Sequence, residues 1–168
     1  MKKVSKNIKD TEKIAQDFLS NLMSKAAFDI AVVVGLSGDL GTGKTTFTQF
    51  IAKNLGIKTK IKSPTFVIIK RYKISPVGCW TPDGASFKNF FHIDAYRLKN
   101  EKELLYLGWK EIVSNKDNLI FIEWPENVAK IIPKKYHKVS IKHTREGHRK
   151  FKFSGVGHLK SLVSNTRK

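Results

Sequence analysis

The densest chemistry in the chain lies in one glycine-rich run, Gly38-Asp39-Leu40-Gly41-Thr42-Gly43-Lys44-Thr45-Thr46. Residues 38–45 fit the pattern G-x-x-x-x-G-K-[ST], and each residue type has a reason to be there. Glycines let successive backbone N–H groups turn inward around an anion, and a helix starting near Gly43 adds the positive end of its dipole. A lysine in this place reaches the β- and γ-phosphate oxygens of a nucleotide, and the hydroxyl after it ligates Mg²⁺. The run therefore predicts a P-loop that grips ATP and Mg²⁺ through Gly38–Thr46. Such a loop needs a further acid near the metal. Two are on offer: Asp94 after Phe90-Phe91-His92-Ile93, and Glu123 after Leu119-Ile120-Phe121-Ile122. Parallel strands would deliver both carboxylates to the sheet edge where the phosphates lie. Either one alone is equally well explained as the cap of a following helix. Two of them beside a P-loop favour a functional role for at least one.

The guanine-specific alternative finds no support. It needs D-x-x-G after the acid-bearing strand, and Asp94-Ala95-Tyr96-Arg97 lacks the glycine. It also needs N-K-x-D after a later strand. Asn115-Lys116-Asp117-Asn118 misses the aspartate and precedes its strand. A small-molecule kinase would want an arginine-bearing lid over the transferred phosphate; Arg71 and Arg97 are available, but no lid segment stands out.

The elements that must position these residues are legible in outline. Asp10 can cap a helix with Ile14, Phe18, Leu19, Leu22 and Met23 on one stripe. Ile30–Leu36 is a β-branched run, as expected of a strand buried on both faces. Thr45–Leu55 has Phe47, Phe50, Ile51 and Leu55 at helical spacing, and Gly56 suits its C′ position. Residues 60–74 read as extended, with Phe66, Ile68 and Ile69 in a β-rich run. Ser75–Lys88, with Pro76, Gly78, Pro82, Asp83 and Gly84, reads as an excursion between strands. Strands 90–94 and 119–123 flank a helix at Glu101–Trp109. The last part, from about residue 134, reads as a basic hairpin and tail: Val139 and Ile141 alternate with polar residues, Glu146-Gly147 turns, and Phe151 and Phe153 alternate again. Strands alternating with helices predict an α/β, three-layer P-loop NTPase-type sandwich over residues 1–168, its mostly parallel sheet extended by antiparallel strands.

In order and spacing, four blocks resemble the TsaE (YjeE) family: the P-loop, Ser63-Pro64-Thr65-Phe66, His92-Ile93-Asp94-Ala95-Tyr96-Arg97-Leu98, and Ile122-Glu123-Trp124-Pro125-Glu126. That family is the bacterial ATPase required to form threonylcarbamoyladenosine in tRNA beside the anticodon. The resemblance implies ATP hydrolysis that is weak alone and raised by TsaB- and TsaD-type partners, with tRNA met indirectly on their assembly. It implies that Thr45 and Glu123 are associated with Mg²⁺, and that Asp94 orients the metal shell or the attacking water. Thr65 would sense the γ-phosphate from a switch-like loop, and Trp124 looks like a wall of the site. The chain departs from the family in the length of Ser75–Lys88 and in its basic tail.

Composition agrees and adds one question. Forty per cent hydrophobic and 27% charged residues is globular composition. The longest apolar run is far short of the roughly 20 residues a membrane helix needs. With the single cysteine, Cys79, and no secretory pattern, this makes a cytoplasmic protein the expectation. The net charge of +18 is densest in residues 134–168, which hold eleven Lys/Arg and one acid, Glu146. A basic surface attracts nucleic acid, membranes and acidic partners without specificity, and no RNA-binding signature accompanies it here. Two rival functions remain open at this point: a stand-alone phosphotransferase, and a nucleotide-regulated RNA-binding protein.

Overall fold

A computed structural model describes residues 1–24, 29–59, 61–64, 66–75 and 87–155. Thr65, most of the 75–88 excursion and the tail from residue 156 lie outside the described residues. The strands are β1 (Lys2–Ser5), β2 (Val32–Ser37), β3 (Ile69–Lys73), β4 (Asn89–Asp94), β5 (Asn118–Glu123), β6 (His137–His143) and β7 (Arg149–Ser154). The helices are α1 (Ile8–Met23), α2 (Lys44–Asn54), α3 (Glu101–Tyr106) and α4 (Trp109–Ser114), with a 3-10 turn at Pro125–Val128.

All seven strands join one sheet in the order β1-β7-β6-β2-β5-β4-β3. Its centre, β6-β2-β5-β4, is parallel, whereas β3, β7 and β1 run antiparallel to their neighbours. The hairpin thus enters the sheet with one strand parallel to β2 and only its second strand reversed. Strands β4 and β5 are buried along their whole length, which explains their near-continuous apolar runs. Side-chain alternation splits the core into two layers. Phe90, Leu119, Phe121, Val139, Ile141, Phe151 and Phe153 pack with α1 and α2. Phe91, Ile93, Ile120 and Ile122 pack with Leu104, Trp109 and Val128 on the opposite face. This is the α/β sandwich expected of a P-loop NTPase-type chain.

Four local expectations are corrected. Helix α1 starts at Ile8, capped by Asn7, whose side chain accepts the Asp10 N–H at 3.0 Å; Asp10 in turn accepts the N–H of Lys6, the residue before the cap, at 2.8 Å. The stretch 66–68 is a turn in which the N–H groups of Val67 and Ile68 both donate to Pro64 O, so the β-rich composition of Phe66 and Ile68 misled. The helix at 101–109 is two short helices broken at Gly108, which sits at φ 81°. Strand β1 is an addition: four residues with no apolar alternation, held by pairing with β7.

Candidate nucleotide site

The site begins where β2 ends. After Ser37 the backbone passes through left-handed conformations at Gly38, Gly41 and Gly43, with φ of 141°, 77° and 100°. At Gly38 the need is steric as well, because a Cβ would collide with the carbonyl oxygen of Ile141 in β6. Thr42 is buried and braces the loop from inside, its hydroxyl donating to Asp39 O at 2.9 Å. Asp39, Leu40 and Gly41 form the exposed rim, with Leu40 76% exposed. Lys44 opens α2, and its Nζ donates to Gly38 O at 2.6 Å and Asp39 O at 3.0 Å. The ammonium also lies 4.0 Å from the centre of the Trp124 ring. Burial lowers the Lys44 pKa from its ordinary 10.5, against the pull of the nearby carboxylates of Glu123, Asp94, Glu126 and Asp39. Thr46, half-buried, follows in the first turn of α2.

The two carboxylates come together as anticipated. Asp94 and Glu123 are register partners at the ends of the parallel strands β4 and β5, and both are buried. Glu123 Oε1 accepts the Thr45 hydroxyl at 2.8 Å, so the two residues that would associate with Mg²⁺ already touch. The same oxygen lies 2.8 Å from His92 Nε2, on a histidine with no exposed surface. Asp94 accepts the Ser63 hydroxyl at 3.3 Å and the Tyr96 N–H at 3.0 Å. It therefore ties the strand end to the loop that carries residue 65.

Trp124 is half-buried and packs against the core layer around Trp109 and Val128. It takes up φ 58° and ψ 50°, a left-handed conformation uncommon for a large side chain. Its N–H extends the ladder to Leu36 O, and its ring packs between Lys44 and Tyr96, whose ring centre lies 5.0 Å away. The backbone strain thus turns an aromatic wall onto the lysine. Of the two arginines weighed for a lid, Arg71 donates to Asn89 Oδ1, and Arg97 stacks 4.2 Å over the Phe66 ring.

Two residues went unassigned in the sequence. His92 was readable in principle, because residues two apart on a strand share a face and His92 precedes Asp94 by two. Arg149 was not. It sits on β7, more than one hundred residues from the loop, and its Nε lies 3.5 Å from where a Cβ on Gly43 would be. Only the hairpin register brings it there.

The oxygen set of Thr45, Glu123 and Asp94 is hard and sparse, which suits Mg²⁺: that ion keeps several waters and binds one or two carboxylates plus phosphate oxygens. Among the described residues no cluster of three or more His, Cys, Asp or Glu side chains forms an all-protein cage. The donors fit a metal that arrives with a nucleotide.

Residues 5–151 match the family model described as threonylcarbamoyl adenosine biosynthesis protein TsaE. The chain is 40% identical over 105 residues to a protein of Borreliella burgdorferi, covering 62% of this chain and 68% of the relative. It is 35% identical over 131 residues to one of Bacillus subtilis, covering 78% and 74%. Both relatives are named tRNA threonylcarbamoyladenosine biosynthesis protein TsaE. A third relative of that name, from Haemophilus influenzae, is 32% identical, with 65% of its length matched. Among solved structures, the crystal structure of Bacillus subtilis YdiB superposes with a TM-score of 0.67 at 28% identity, covering 94% of this chain and 86% of that one.

Proposed function

The chain belongs to the TsaE family of threonylcarbamoyl adenosine biosynthesis proteins, and we propose that within it the chain is a Mg²⁺-dependent ATP hydrolase acting as an accessory switch. The observation that carries this reading is the contact of Thr45 with Glu123, one residue along from Lys44 and beside a loop shaped to receive phosphate.

ATP would enter with its β-phosphate in the ring of loop N–H groups. Lys44 would leave Gly38 O and Asp39 O for the β- and γ-phosphate oxygens, exchanging neutral carbonyl acceptors for charged ones. Bound Mg²⁺ would supply charge neutralisation across those oxygens, held by Thr45 and Glu123. His92 would keep the Glu123 carboxylate aimed at Thr45. Asp94, at the neighbouring strand end, would orient a water in line with the γ-phosphorus. Water attack forms one P–O bond and breaks the bond to the ADP oxygen, leaving ADP, inorganic phosphate and a proton.

The accessory role rests on the family and on the mouth of the site. Leu40, Phe66, Val67 and Tyr96 stand exposed around it, a surface that a partner would complete. TsaB- and TsaD-type proteins are the proposed partners, and tRNA threonylcarbamoyladenosine formation the proposed process. The deciding measurement is phosphate release from ATP with and without Mg²⁺, alone and with those partners. Slow, Mg²⁺-dependent turnover raised by the partners supports the reading. Turnover raised instead by a small metabolite alone would replace it with the phosphotransferase.

A further inference from the structure

Among the described residues, the β1-β7-β6 end of the sheet is covered on one side only. Val139, Ile141, Phe151 and Phe153 point into the core beside α1 and α2. The alternate residues on these strands point to solvent: Lys2 and Val4 on β1, Lys150, Lys152 and Ser154 on β7, Lys138 and Lys142 on β6, with Ser140 half-buried. Register lines them up across the strands. Val4, Lys150 and Lys142 form one row, and Lys2, Lys152 and Ser140 the next, followed by Ser154 beside Lys138.

Two lysine pairs, Lys2 with Lys152 and Lys142 with Lys150, therefore stand directly opposite each other. Opposed like charges destabilise a sheet. Four lysines elsewhere sit beside an acid. Lys3, whose side chain points to the other face of β1, is paired with Asp17; Lys53 is paired with Glu12, Lys88 with Asp117 and Lys130 with Glu101. No acid occurs in β1, β6 or β7, and the hairpin's own Glu146 is engaged by His148. Among the described residues, none of the five face lysines has a carboxylate partner.

We propose that this face binds the phosphate backbone of RNA, with Lys2, Lys138, Lys142, Lys150 and Lys152 as the contacting cations. Three strands about 4.8 Å apart, with same-face residues about 6.6 Å apart along each, make a flat platform of point charges. Lysines without arginine forks or exposed aromatics suit phosphate contact and not base readout. An acidic protein fits less well, because a protein interface needs an apolar or aromatic centre, and among the described residues of these three strands Val4 is the only exposed large apolar side chain, with the half-buried Tyr136 ring beside Lys138. RNA is the polyanion named by the relatives' titles, so the proposal rests on family membership and not on ATP hydrolysis. The face shares β6 with the nucleotide site: the row ending in Lys142 lies next to Ile141, against whose carbonyl Gly38 packs.

The test uses the full chain and unmodified tRNA, with affinity measured by fluorescence anisotropy over a salt series. The triple variant Lys142→Gln, Lys150→Gln, Lys152→Gln is compared with a control of equal charge change, Lys13→Gln, Lys110→Gln, Lys116→Gln, at exposed positions on α1, on α4 and in the turn after it. The face variant should lose roughly tenfold or more in affinity at moderate salt and about two to three units of the slope of log affinity on log salt. The control should stay within about twofold of the parent, since it removes no phosphate contact. ATP affinity is measured on the same preparations and should match the parent in both variants, separating lost RNA contact from failed folding. If no preparation binds ATP while the face variant alone loses RNA, this inference stands and the ATPase reading falls. Equal loss in both triples, no loss in either, or competition by polyglutamate as strong as by tRNA would overturn it.

Discussion

Lys44 shows how one residue can be stored before use. Its ammonium is satisfied by two loop carbonyls and an aromatic face, yet burial lowers its pKa. Lys44→Ala should therefore cost about two orders of magnitude or more in ATP affinity, measured by calorimetry, since a charge-assisted contact to phosphate is lost at a buried position. Unchanged affinity would remove the phosphate site. The pH dependence has a definite sign. Binding needs the ammonium, whose pKa in the free protein is depressed, so ATP affinity should decline as pH rises through a range below 10.5. The carboxylates separate by their contacts. Glu123 touches Thr45, so Glu123→Gln should weaken nucleotide binding chiefly when Mg²⁺ is present. Asp94 touches the loop and not Thr45, so Asp94→Asn should spare binding and lower the rate by roughly 10²–10⁴. If both variants behave alike in a Mg²⁺ titration, the division of labour is wrong. Arg149 lies against the helix end of the P-loop, and Arg149→Ala should raise the Kd for ATP several-fold, with the fold unaltered by circular dichroism.

At the scale of elements, legibility tracked how local the cause was. The P-loop, β2, α2, β4 and β5 were readable because a glycine pattern, a fully buried run or a 3.6-residue stripe states each one within about ten residues. The position of the two acids followed, because strands ending in carboxylates next to a P-loop leave little freedom. What was not legible depends on distant chain. Strand β1 exists by pairing with β7, and Arg149 reaches Gly43 only through the register of the hairpin. The left-handed Trp124 gives no compositional sign, since aromatics seldom take that conformation. The loop glycines make this contrast testable. Gly38 and Gly41 both have positive φ, but a Cβ at Gly38 would strike the β6 backbone, whereas a Cβ at Gly41 would meet nothing within 4 Å. Gly41→Ala should cost only the left-handed penalty, about 1–2 kcal/mol. Gly38→Ala should cost more in thermal unfolding and also lower ATP affinity, as the loop must move off β6. Equal costs would show that the close approach to Ile141 is not a constraint.

The whole molecule offers two kinds of surface: the proposed nucleotide site with its exposed apolar rim at the ends of the central strands, and a basic face on the neighbouring strands β6, β7 and β1. No helix among the described residues is long and apolar enough to cross a membrane. An ATP hydrolase of the kind proposed, with an apolar rim this exposed, is poorly arranged to work alone. It is better arranged to be read by something that closes over the rim. The loop around residue 65 is the natural reporter, because Ser63 on one side reaches Asp94, and Ile68 on the other accepts the Asp94 N–H. Any movement of the Asp94 carboxylate on γ-phosphate loss would be passed to Ser63, while the Asp94 N–H anchors the other end at Ile68. A switch performs work only when a partner prefers one of its states. Binding to a TsaB–TsaD assembly should therefore be tighter with ATP than with ADP or no nucleotide, by roughly tenfold for a coupling of about 1.4 kcal/mol. Thr65→Ala should flatten that difference more than it weakens ATP binding itself. Calorimetry of the chain against the assembly in the three nucleotide conditions measures both effects, and equal affinity in all three would overturn the switch.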